Sequence, residues 1–219
     1  MSIALKQNLA PADEKSLAAH AHLLFILPAE LPVDLPFSSA LDAKLNRIGK
    51  KYTDLSKSPV MADLPNGAVA AWVVLDAGFS AFKRQTQLRK AIKPLLDEHP
   101  KALAIAVFGS EEMRKQSAKD AFYVAGVNAA ELPERKGKES QKEPKPQLLE
   151  IIELYGWQEA DNFADIQALI AGNLLTRTLT MMPPNELNPT QYRAKIAKIA
   201  VPHPISKVFK PFTSISKRC

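Results

Sequence analysis

The chain has 219 residues, 46% of them hydrophobic and 24% charged, with a formal net charge of +6 and one cysteine, Cys219. That balance suits a globular chain with a real core, and a lone cysteine excludes both an internal disulfide framework and a cysteine-clustered zinc site. The longest apolar stretch, Ala68 to Leu75, is far short of a membrane span, and the start, MSIALKQNLAPADEK, lacks a basic segment followed by an apolar core, so a cytoplasmic location is expected.

In chain order, the first strong signal is Leu23-Leu24-Phe25-Ile26-Leu27, an apolar run stopped by Pro28, which predicts a buried strand. Pro32 and Pro36 mark a loop. Ser38 or Ser39 is then placed to cap a helix whose apolar face is Leu41, Leu45 and Ile48. Leu64-Pro65-Asn66-Gly67 is a turn signal. Val69 to Leu75 is the second strand, and a helix is expected around Lys83 to Leu96, where Pro94 is a point of shortening or kinking.

Ala102 to Phe108 is the third strand. It leads into Gly109-Ser110-Glu111-Glu112, where Ser110 caps a helix and the glutamates favour its positive end. That helix is expected to stop at Ala125, before Gly126. The loop Leu132 to Pro146 follows, with Arg135, Lys136, Lys138, Lys142 and Lys145 interleaved with Glu134, Glu139 and Glu143. It reads as a solvated loop, since charge runs are usually just exposed. Leu148 to Leu154 is the fourth strand, just before Gly156. The alternation of strands and helices predicts an α/β domain with a mostly buried mixed sheet flanked by helices, ending near residue 157.

From Asp161 the pattern is helical, with Phe163, Ile166, Ile170 and Leu174 on one stripe. Met181-Met182-Pro183-Pro184 ends it, because a residue before proline is pushed out of helical geometry. The next helix has a well-specified start: Asn188 as cap, Pro189 at the first helical position, Gln191 placed for a capping box, Leu187 and Tyr192 for a hydrophobic staple.

The run Arg177-Thr-Leu-Thr-Met-Met-Pro-Pro-Asn185-Glu-Leu-Asn-Pro189 resembles the segment that joins the two domains of the leucine (cytosol) aminopeptidases, whose pattern is close to N-x-P-P-N-x-L-T-P. Arg177, Pro183, Pro184, Asn185, Leu187 and Pro189 carry the match. Met181 stands where the family usually has asparagine, and Asn188 replaces the common threonine cap, a nearly silent change. The resemblance is specific over 177–189 and diffuse over roughly 20–200, where a helix with spaced small residues, a lysine-rich loop and a strand ending near glycine also agree.

The resemblance implies a macro-domain-like N-terminal domain over 1–157, linker helices over 158–200 and a divergent tail over 201–219. It implies a scaffold that self-associates or makes the family's hexamer contacts. Full-length members release N-terminal amino acids from peptides with two divalent metal ions, zinc or manganese. Their ligands lie in motifs close to K-G-I-x-x-D-[ST]-G-G and N-T-D-A-E-G-R, and neither motif occurs in this sequence.

Nothing in the residues replaces them. A two-metal site needs converging carboxylates, whereas Glu150 and Glu153 on one strand face opposite sides of the sheet, and Glu159 and Asp161 follow it. His20 and His22 are two apart with no third ligand nearby. His99 reads as a cation at a helix C-terminus, His203 sits between prolines, and no G-x-S-x-G elbow is present. No catalytic, metal-binding or cofactor-binding residue is therefore assigned in this chain, which is expected to be inactive by itself.

The competing expectation is a stand-alone macro-domain-like module for a nucleotide, ADP-ribose or nucleic acid. Only eight glycines are present and no two lie within ten positions, so a glycine-rich phosphate cradle is disfavoured. Trp72 and Trp157 read as core or interface aromatics. Four of the six net positive charges sit in residues 201–219, which weakens a nucleic-acid footprint on the rest. Those residues hold no acid and lose the family pattern, so a truncation with a foreign or out-of-frame tail after about residue 200 is expected.

Overall fold

The computed structural model describes residues 3–130, 132, 147–183 and 185–200. The expectations for Pro184, for residues 133–146 of the charged loop, for His203, for Cys219 and for the tail 201–219 lie outside the described residues. The chain forms two compact units, Met1–Leu174 and Leu175 onward.

The first unit is a six-stranded mixed sheet. Its strands are β1 (Ala4–Gln7), β2 (His22–Leu27), β3 (Val60–Asp63), β4 (Val69–Val74), β5 (Ala102–Val107) and β6 (Ile151–Tyr155), in the order β1-β6-β5-β2-β4-β3. All neighbours run parallel except the β3–β4 pair. The helices are α1 (Glu14–Leu17), α2 (Ser38–Ile48), α3 (Ala81–Leu96), α4 (Glu111–Asn128) and α5 (Ala164–Thr180), with a 3-10 turn at Tyr52–Ser56. The α/β architecture expected from the alternation is the observed one.

β2, β4 and β5 are apolar apart from His22 at the start of β2, because both faces are covered. On one face Leu24, Ile26, Ala71, Val73, Leu103, Ile105, Ile152 and Leu154 pack against α3, α4 and the first turns of α5. On the other, Leu23, Phe25, Leu27, Trp72, Val74 and Tyr155 pack against α1, α2 and the 3-10 turn. Small residues on that second face, Ala70, Ala104 and Ala106, leave room for the aromatic rings. Phe25 stacks on Trp72 with centroids 5.6 Å apart.

Several local outcomes differ from expectation, each for a physical reason. The cap of α2 is Phe37, in the left-handed conformation at φ 56°, rather than Ser38 or Ser39. Its ring lies edge-on to Phe25 and its N–H donates to Glu14 Oε1 at 2.9 Å, so tertiary contact overrides the serine signal. Pro94 lies inside α3 without ending it; it falls in the last turn, where little helix remains to be broken. α4 continues past Gly126 to Asn128. The fourth strand begins at Ile151 rather than Leu148.

Other expectations stand as drawn. Ser110 caps α4, accepting from Met113 N, and Ser80, which the sequence reading did not name, caps α3, accepting from Lys83 N. The Leu64–Gly67 turn closes a β3–β4 hairpin, with Gly67 N–H donating to Leu64 O at 2.9 Å and Gly67 at φ 83°. β1, α1 and β3 carried no sequence signal strong enough to predict; each is four residues long.

Candidate functional site

A cluster of ionisable side chains lies where β1 meets β6. Register pairs Lys6 with Glu153 across the parallel ladder, and Lys6 Nζ donates to Glu153 Oε2 at 2.8 Å. Asn8 Nδ2 donates to the same oxygen at 3.2 Å. His20, in the segment entering β2, places Nε2 2.7 Å from the Tyr155 hydroxyl and Nδ1 4.0 Å from Glu153 Oε1. The two rings meet edge to face.

Burial shapes the charges here. It pushes the His20 imidazole below its ordinary pKa, against the pull of Glu153 and with help from Lys6. Burial alone would raise the Glu153 carboxyl, but hydrogen bonds from Lys6 and Asn8, with the charges of His20 and Lys6, hold it below the usual carboxylate range. Burial and then Glu153 push the Tyr155 phenol up. With its proton on Nδ1, toward the ionised Glu153, the neutral ring accepts a hydrogen bond from the Tyr155 hydroxyl at Nε2. Glu150 precedes β6 and is exposed beside Lys101 at 3.5 Å, so the strand parity expected for it does not apply, while Glu153 lies within β6 and is largely covered.

His22 does not share a site with His20. Its Nε2 lies 2.9 Å from Glu98 Oε2. His99 follows the end of α3 at φ 53°, its N–H donating to Leu96 O, and borders a cleft of about 230 Å³ with Asp97, Pro100, Asn128 and Leu149. Between α3 and α4, Arg84 Nε donates to Asp120 Oδ2 at 2.6 Å and Nη1 to Phe79 O at 2.8 Å. Gln116 completes the carboxylate's set; this is a structural ion pair between helices.

The second unit holds the proline-rich joint. Pro183 O accepts from Glu186 N at 2.9 Å and from Leu187 N at 3.0 Å. α6 (Pro189–Ala200) starts at Pro189, and its Gln191 N–H donates to Asn188 Oδ1 at 2.9 Å. Arg177 lies in the last turn of α5, and Asn185 is exposed. Pro184 is outside the described residues.

No group of three or more His, Cys, Asp or Glu residues that could hold a metal ion occurs among the described residues. The zinc or manganese pair implied by the resemblance thus has no such donor set among the described residues. No described helix is long and apolar enough to cross a membrane. The sequence search had singled out His20 but missed Lys6, Glu153 and Tyr155 as its neighbours. Tyr155 is 135 residues from His20, and Glu153 is 147 from Lys6, so no local signal joins them.

No protein-family model and no curated protein matches the sequence. Solved structures do match. A variant of tomato leucine aminopeptidase superposes with a TM-score of 0.63 at 16% identity, over 90% of this chain and 42% of that one. The bottromycin maturation enzyme BotP, solved in complex with Mn, gives 0.60 at 16% identity over 82% of this chain and 36% of that one. Leucyl aminopeptidase from Trypanosoma brucei gives 0.54 at 12% identity over 91% and 42%. The chain spans 36–42% of the length of these proteins. At such identities the likeness speaks for fold alone, and the fold is that of the N-terminal region of the leucine aminopeptidases.

Proposed function

We propose that this chain is the N-terminal portion of a leucyl aminopeptidase-like metallopeptidase and serves as its scaffold. The observation that carries this reading is the match of nine-tenths of the chain within 42% of the tomato enzyme. The proline-rich joint at 177–189 supports it independently, because its prolines and caps specify a connection to a further element. In this reading the chain is cytoplasmic. Residues 1–157 are the scaffold domain and 158–200 the linker, with Arg177, Pro183, Pro184, Asn185, Leu187 and Pro189 forming the joint.

Peptide hydrolysis by a metal pair requires carboxylates converging on ions that activate a bound water. Within this reading those ligands belong to a catalytic domain outside these residues, and peptides are substrates only of the complete enzyme. The chain alone is inactive and associates with itself or with intact subunits in hexamer-type contacts. The test is a leucine chromogenic substrate offered with Mn²⁺ or Zn²⁺. Turnover that a chelator abolishes would overturn the claim of inactivity. Light scattering of the pure chain tests association, and a monomer at all concentrations removes the scaffold role. Thermal shift with ADP-ribose or DNA tests the rival binding-module reading, which gains if either ligand raises the melting temperature.

A further inference from the structure

We propose that the cluster His20–Tyr155–Glu153–Lys6 is a pH-responsive latch on edge strand β1, closed while the imidazole is neutral and loosened when it takes up a proton. Among the described residues, β1 has a strand neighbour on one side only, β6. It is short, with four residues in register from Ala4–Ile151 to Gln7–Leu154. Its side-chain anchors on this face of the sheet are Lys6 and Asn8, and both end on one carboxylate, Glu153.

The charged and titratable groups facing His20 are Glu153 and Tyr155 from β6 and Lys6 from β1; α1 presents the apolar Leu17 to this layer. With Nδ1–H facing Glu153, the neutral imidazole accepts a hydrogen bond from the Tyr155 hydroxyl at Nε2. A protonated ring has no acceptor left there. The nearly buried Tyr155 hydroxyl must then turn its proton away, and the new cation competes with Lys6 for Glu153. Burial, which disfavours the imidazolium, exceeds the attraction of Glu153 at 4.0 Å. Glu153 stays ionised throughout, since its own pKa is held low.

The effect reaches beyond β1. Gln7, at the end of the strand, grips the segment leading into α5: its Nε2 donates to Glu159 O at 3.0 Å and its Oε1 accepts from Glu159 N at 2.6 Å. Loosening β1 therefore frees the 159–162 segment as well.

The test is amide hydrogen exchange on the full chain between pH 7.5 and 5, corrected for intrinsic rates. The reporters are Asn8 N–H, bonded to Leu154 O, and Glu159 N–H, bonded to Gln7. Their protection should fall on acidification, by at most about tenfold per pH unit, the limit for opening linked to one proton. Amides of β2 and β5 should not follow. His20→Gln, which cannot take a proton, should flatten the dependence. A wild-type profile without the loss, or an unchanged loss in His20→Gln, overturns the proposal. If that variant folds poorly, the wild-type imidazole titration by NMR decides instead: loosening at a midpoint other than that of His20 sinks the latch.

Discussion

Gly126 of α4 lies directly beneath Ile170 of α5, so close that a Cβ built on Gly126 would sit 2.6 Å from Ile170 Cδ1. This contact accounts for a glycine inside the last turn of α4, where glycine is a poorer helix former than alanine. Gly126→Ala should destabilise the sheet unit by about 1–2 kcal/mol, the overpacking cost outweighing the gain in propensity. Ile170→Val removes the clashing methyl, so adding it to Gly126→Ala should recover most of the loss. Urea unfolding of the single and double variants measures both. A Gly126→Ala protein more stable than wild type would mean that the helices separate freely.

Gly156 poses a harder constraint. It holds φ 90° just after β6, and a Cβ there would collide with Val107 O, a backbone atom that cannot swing aside. Gly156→Ala should cost about 3 kcal/mol through strain at positive φ together with the clash. The expected readout is a melting temperature lowered by more than in Gly126→Ala, where the obstacle is only the end of a flexible side chain.

These two glycines mark where sequence reasoning worked and where it stopped. Gly156 was legible as a strand terminator, whereas Gly126 was taken for a helix end because its partner, Ile170, is 44 residues away and invisible locally. The central strands were legible because β2, β4 and β5 are buried on both faces and so read as unbroken apolar runs. β1 was not: ALKQ carries only short alternation, and its place is set by pairing with Ile151–Leu154 at the far end of the unit. The His20 cluster was hidden for the same reason, since a histidine's role depends on which strand folds beside it. The cap at Phe37 was misassigned to serine because the decisive contact, with Phe25, is tertiary.

The Arg84–Asp120 pair gives a third prediction. Arg84 is held by Asp120 and by Phe79 O, and Asp120 is nearly inaccessible. Asp120→Ala strands the guanidinium between α3 and α4 and should cost about 3 kcal/mol. Arg84→Met combined with Asp120→Leu removes both charges and should cost clearly less. Chemical unfolding of the two proteins separates them. A double variant worse than Asp120→Ala would show the pair to be stabilising in itself.

Global stability should also fall with acid, with a sign fixed by two groups. The folded-state pKa of His20 lies below its ordinary value of 6.5, so the unfolded chain binds the proton more tightly. The contribution of His20 is full above that value and is lost as pH falls through the folded pKa. Glu153 acts in the same direction at lower pH: its contribution is full above 4.5 and fades as pH drops through its depressed value. Wild type should therefore lose stability in two stages on acidification. His20→Gln should lack the first stage, whereas Glu153→Gln should only weaken the second, to which Asp13 and Asp165, also held low, contribute as well, as followed by melting temperature against pH. An identical first stage in wild type and His20→Gln would assign it to other groups.

The last prediction concerns the start of α6. Asn188 Oδ1 accepts from Gln191 N–H, satisfying one of the helix's first donors, and Pro189 supplies a preset φ at the first position. α6 has twelve residues and its described side chains are largely exposed, so little packing compensates for a lost cap. Asn188→Ala should weaken the helix by about 1 kcal/mol, whereas Asn188→Thr, which restores the threonine common in the aminopeptidase pattern, should leave it nearly unchanged. Backbone chemical shifts over 189–198 report the helix directly, and those of the sheet strands serve as the control. Equal helicity in the alanine and threonine variants would mean that Pro189 alone sets the start. A loss confined to the alanine variant assigns it to the side-chain oxygen, the feature that asparagine and threonine share.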